Sequence, residues 1–217
     1  MSFDLSQFLA ERVMILIPLL LSLTVHEWAR AWSAYRLGDD TASMQGRLTL
    51  NPIAHIDLVG TLVLPLLGIP FGWAKPVPVN PTRFRRGVSM STGMVITAAA
   101  GPLSNVVLAF LSAVAFGLIG RFSPETLTHT MGISSLLIML ILINVSLAIF
   151  NLIPIPPLDG SRVVDGLIPY GWRPRWESIV RLSPVLLIAV IYFSSSIITG
   201  PATFVVGLLT RVVTAIQ

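Results

Sequence analysis

Apolar residues run through this chain in long stretches, and short loops between them hold most of the charge. A bilayer-spanning helix needs about 20 mostly apolar residues. The runs from Val13 to Tyr35, Ser91 to Ile119 and Met131 to Ile153 meet that length. Two more follow, Ile179 to Ile198 and Ala202 to Ile216, the last long enough only to dip into the bilayer. The stretch Asp57 to Ile69 is shorter, contains Gly60, Pro65 and Gly68, and is followed by Pro70. It is too short and too broken to cross, so it is predicted as a re-entrant hairpin or a buried irregular piece. No internal repeat is visible. The pattern predicts an all-α integral membrane protein, one polytopic domain over residues 1–217. It should have about five to six transmembrane or partly inserted helices, with the irregular segment near 57–70.

Composition agrees: 54% of the residues are hydrophobic and only 11% charged, where a soluble domain carries about 25%. There are no cysteines, which excludes a disulfide framework and a thiolate metal site. The net charge of +4 does not point to nucleic acid, because the basic residues sit in loops. Gly72 to Val88 holds Lys75, Arg83, Arg85 and Arg86, and Asp159 to Glu177 holds Arg162, Arg173 and Arg175. Gly120 to Thr130 holds only Arg121. By the positive-inside rule the first two loops face the cytoplasm and the third does not. The first apolar run has Arg12 as its basic flank and polar residues inside, so it is predicted as a retained helix and not a signal peptide.

Ionisable residues interrupt that first run at His26-Glu27-Trp28-Ala29-Arg30. Each costs about 2.5–3.5 kcal/mol on insertion scales, so such residues usually mark function. In His-Glu-x-x-His, two imidazoles one turn apart grip zinc and the Glu between them acts as general base. Here the second position is Arg30, whose guanidinium has no lone pair for a metal. The alternative is a Glu27–Arg30 pair that neutralises itself in the bilayer. A second unusual stretch runs from Asn151 to Gly160, with prolines at 154, 156 and 157 that end any helix. Its Asp159 is either a third, carboxylate ligand or part of a plain turn. The topology brings Asp159 and His26 toward the same leaflet.

Taken in order, these segments resemble the site-2 protease family, in particular its small prokaryotic branch without a PDZ domain. The marks are His26-Glu27, Gly46 to Pro52 with His55, Gly72 to Asn80, Ala100-Gly101-Pro102 with Asn105, and Phe150 to Pro154 running to Asp159-Gly160. The resemblance implies a zinc metalloendopeptidase that hydrolyses peptide bonds of membrane-embedded substrate helices, in regulated intramembrane proteolysis. It implies His26 and Asp159 as zinc ligands, Glu27 as general base, and Asn151 as donor to the substrate carbonyl or oxyanion. It also implies residence in a prokaryotic cytoplasmic membrane, with the site toward the cytoplasm. Arg30 departs from the family's His, so activity is expected to be impaired. Three accounts stay open: a pseudoprotease that binds membrane segments, His55 as a substitute ligand, or an introduced change in a competent enzyme.

Lys75 to Asn80 alternates Pro and Val and is predicted extended, either as an edge for an unwound substrate or as a plain interfacial loop. Asn105 is expected to fix helix packing, Trp73 and Trp172 to anchor at the interface, and His129 to be solvated. A transporter would also bury charge, but the inverted repeats common in transporters are not evident.

Overall fold

The structure, a computed structural model, describes residues 5–68, 72–129 and 131–217. The first apolar run forms α1 (Leu5–Arg36). Next come the short α2 (Thr41–Met44), a 3-10 turn at Pro52–His55, and a π-helical turn at Leu58–Val63 that continues into α3 (Leu64–Leu66). This is the expected irregular segment. Asp57 starts it by accepting from the amides of Val59 and Gly60 at 3.1 and 2.8 Å. Trp73 lies so close over Gly60 that a Cβ there would fall 2.3 Å from the indole. Ile69, Pro70 and the side chain of His129 lie outside the described residues.

After an extended stretch and a 3-10 turn at Pro81–Arg83, α4 (Met90–Phe122) begins. Ser89 caps it, accepting from the Thr92 amide at 3.0 Å. Short α5 (Pro124–His129) leads into α6 (Met131–Asn151), which stops ahead of the prolines. The chain then unwinds and restarts as α7 (Asp159–Leu167). The C-terminal part comprises α8 (Arg173–Arg181), α9 (Ser183–Tyr192) and α10 (Ser194–Ile216). Among the described residues four helices are long and apolar enough to cross a membrane, over Met14–Arg36, Met90–Phe122, Gly132–Asn151 and Ser194–Ile216. The protein is an all-α membrane protein.

The C-terminal boundaries differ from expectation. The sequence suggests a break near Gly200-Pro201, but Pro201 lies inside α10 and the breaks fall at Leu182 and Phe193. A proline forfeits one ladder bond, and transmembrane helices tolerate that loss. The last helix is therefore 23 residues long, enough to cross and not merely to dip in.

Helix α4 is central, packing against α1, α6, α7 and α10. Its buried positions are mostly small: Ala98, Gly101, Ala109, Ala113 and Gly117. Lipid gives no hydrophobic drive for helix association, so close backbone approach through small residues and interhelical hydrogen bonds hold such bundles together. The large side chains of α4, such as Leu103, Val107 and Leu111, point outward to the lipid side.

The junction of α6 and α7 allows no side chain at Gly160. A Cβ there would lie 2.2 Å from the Leu152 carbonyl oxygen and 2.7 Å from that of Ile153. Backbone cannot swing aside, so Gly160→Ala is expected to cost about 1–3 kcal/mol, as overpacking does. Thermal unfolding in detergent should show it, with Gly132→Ala as the control, since nothing lies within 4 Å of that Cβ. Equal midpoints for the two variants would mean that the unwound stretch does not pack on α7 as described.

Candidate active site

Helical periodicity puts His26 and Arg30 one turn apart on α1, with Glu27 beside them. All three are buried, at 4%, 5% and 6% exposure for His26, Arg30 and Glu27. The proline run ends α6 and lets the chain restart at Asp159, which opens α7 and is also buried. There Asp159 Oδ2 lies 3.0 Å from His26 Nε2. Arg30 spans both carboxylates, with Nη1 3.5 Å from Glu27 Oε1 and Nε 3.4 Å from Asp159 Oδ1. Its Nε makes no hydrogen bond at that distance, so the guanidinium acts as a charge between the acids and not as a fitted fork. Burial by itself raises the Asp159 pKa. The hydrogen bond to His26 and the cations Arg30 and Arg162 outweigh it and hold the carboxyl below its usual range.

Behind His26 lies a closed polar network. Asn105, fully buried in α4, donates from its amide nitrogen to the Ser22 carbonyl at 3.2 Å and to Asn144 Oδ1 at 2.7 Å. Its oxygen is thereby left as the acceptor for His26 Nδ1, 2.7 Å away. That fixes the imidazole with Nδ1 protonated and Nε2 facing Asp159. Asn144 in turn donates to Ser22 Oγ and to the Leu140 carbonyl, both at 2.8 Å. Gly101 makes room for the ring, since a Cβ there would sit 2.5 Å from His26 Nε2. Asn105 thus packs helices and orients His26 at once. Nothing in the sequence analysis singles out Asn144 or Ser22, although a lone amide inside an apolar run is a usable signal.

Glu27 is also restrained from the other side. Its Oε2 accepts from the Val77 amide at 2.7 Å, so the extended segment 72–80 passes directly over the acid. The other candidates make their hydrogen bonds elsewhere. His55 is buried, with Nε2 2.8 Å from the Thr49 carbonyl oxygen. Asn151, on the last turn of α6, donates to the Leu147 carbonyl at 3.0 Å.

Structural zinc takes four protein donors, and catalytic zinc takes three plus water. Among the described residues no three His, Cys, Asp or Glu side chains converge as a metal group. The place one turn after His26 belongs to a guanidinium without a lone pair, already engaged with both acids. The residues as they stand do not fit a zinc ion.

A membrane helix bearing His-Glu, facing an Asp that follows a proline-broken helix, defines a metallopeptidase-like scaffold. The chain belongs to peptidase family M50, whose sequence pattern matches residues 116–191, the part that holds Asn151 and Asp159. It is 42% identical over 162 residues to the provisionally named zinc metalloprotease YwhC of Bacillus subtilis, covering 74% of this chain and 72% of that protein. It is 32% identical over 154 residues to Rip2 of Mycolicibacterium smegmatis, also provisionally named a zinc metalloprotease, covering 70% of this chain and 56% of the relative. A third such protein, MJ0611 of Methanocaldococcus jannaschii, is 42% identical over 85 residues, 39% of this chain and 37% of the relative. No solved structure matches the chain. These findings bear out the resemblance to the site-2 protease family.

The buried network sets an expectation for stability. Asn105→Leu or Asn144→Leu would each leave buried partners unsatisfied, at a cost of about 1–3 kcal/mol. Because the two amides share a bond, the double variant should cost clearly less than the sum. Thermal or denaturant unfolding of the four proteins tests this, and strict additivity would rule out a shared network.

Proposed function

We propose that this chain is a site-2-type intramembrane zinc metalloendopeptidase scaffold whose metal centre is closed by Arg30. In this reading His26 and Asp159 are the ligands that remain, Glu27 is the general base, and Asn151 serves the substrate carbonyl. The substrates are membrane-embedded protein helices, reached from the cytoplasmic side of a prokaryotic cytoplasmic membrane. As written, the sequence holds zinc poorly and cleaves slowly or not at all.

The single observation that carries the reading is Arg30 lying between Glu27 and Asp159. A cation there opposes zinc as well as replacing a ligand. At an effective dielectric of about 20, unit charges 4 Å apart interact by about 4 kcal/mol, roughly three decades of affinity. The same observation favours a second reading, a non-catalytic protein that still binds membrane segments. Rescue by His55 has less support, because that imidazole is engaged at the Thr49 carbonyl.

The experiment is zinc content of detergent-purified protein, for the chain as written and for Arg30→His, followed by cleavage of a transmembrane substrate in vesicles. Arg30→His is expected to hold one zinc and to cleave, while the unmodified chain holds far less than one. Full occupancy in the unmodified chain would sink the proposal and make His55→Ala the next variant. Zinc binding by Arg30→His without cleavage would favour the non-catalytic reading.

A further inference from the structure

Segment 72–80 alternates inward and outward main-chain groups, as any extended chain does. Three inward amides are engaged. The Trp73 amide donates to the Gly60 carbonyl at 3.2 Å, and the Lys75 amide to that of His55 at 2.9 Å. The Val77 amide donates to Glu27 Oε2. Proline at 76 and 78 removes amides from the outward edge. The segment is therefore a strap, and its register decides whether the Val77 amide meets Glu27.

One side chain grips the strap midway. Arg47 Nη2 donates to the Lys75 carbonyl at 2.5 Å. Arg47 is 7% exposed and forms no ion pair with any described residue. A buried guanidinium is expensive, and a structural hydrogen bond to one carbonyl does not need a charge. Burial pulls the Arg47 pKa down and the nearby Glu27 carboxylate opposes that pull, so the cation and the acid sense each other across the strap.

We propose that Arg47 is a positioning residue for Glu27: it clamps the Lys75 carbonyl and so fixes the strap in the register that presents the Val77 amide to the Glu27 carboxylate. The proposal rests on the reading of Glu27 as general base only for its effect on turnover. The clamp itself exists in the chain as written.

Two measurements test it. In the unmodified chain, residue-resolved amide exchange in detergent should be slow at Lys75 and Val77. Arg47→Met should speed both by about tenfold, the effect of losing one buried hydrogen bond, while amides in α4 and α6 keep their rates. Arg47→Lys, which still reaches a carbonyl, should restore most of the protection. In the Arg30→His background with zinc, Arg47→Met should lower kcat by at least about tenfold with KM unchanged, and Arg47→Lys should recover most of it. Unchanged exchange at Val77 in Arg47→Met overturns the proposal, and so does faster exchange with undiminished kcat. If Arg30→His is itself inactive, the reading of the metal site fails, and the exchange rates alone decide for or against the clamp. If Arg47→Met does not fold, Arg47→Gln, uncharged and too short for the same contact, takes its place with the same expectations.

Discussion

Two carboxylates that stay ionised side by side inside a membrane protein need a compensating cation. Glu27 and Asp159 are 6% and 3% exposed, and taking even one such ion from water costs several kcal/mol after relaxation. Arg30 supplies the compensating charge, about 3.5 Å from each acid. The contact joins α1 to the start of α7 across the unwound stretch that follows α6. It therefore decides where the proline-broken chain docks, and with it the geometry of every group in the site.

The rest of the structure meets the demands this contact creates. Side chains of α1 can reach α7 only if α4, which lies against both, is thin at the crossing. Gly101 makes it so, since any Cβ would strike the His26 ring. In lipid, the polar groups exposed by that close approach must find partners inside the protein. Asn105, Asn144 and Ser22 satisfy one another and His26 in a closed set. The strap over Glu27 does the same for the second oxygen of the acid. The site is thus assembled from five elements: α1, α4, α6, α7 and the strap.

The spans were legible because bilayer thickness leaves a length signature in α1, α4 and α6 that local propensity cannot hide. Gly60 and Pro65 marked the irregular piece, and ionisable residues in an apolar helix marked His26, Glu27 and Arg30 for the same reason of cost. Asp159 was legible through topology, since the Arg and Lys of loops 72–88 and 159–177 put it on the side where the first helix ends. What was not legible depends on contacts far apart in sequence. Asn144 meets Ser22 across 122 positions, and no local pattern predicts that the two face each other. Pro201 misled because its cost is small when the helix around it is buried in lipid. Arg47 sits in a loop rich in polar residues, where a charge carries no signal until burial reveals it.

On the proposed reading, charge arithmetic links Arg30 to the metal whose place it takes. Two carboxylates and a divalent ion sum to zero, and so do two carboxylates, the Arg30 guanidinium and a His26 ring that donates from both nitrogens. Arg162 feels both acids and Arg47 feels Glu27, so further positive charge lies at the edges of the site. A histidine at position 30 would bring a lone pair but no fixed charge, leaving Glu27 without its cation until a metal arrives. Metal binding would then be linked to folding, as it is wherever a site is not preformed without its ion. The guanidinium and the zinc ion are thus two answers to one electrostatic problem. On that reading the guanidinium compensates the acids without metal, at the loss of the lone pair that a metalloprotease needs.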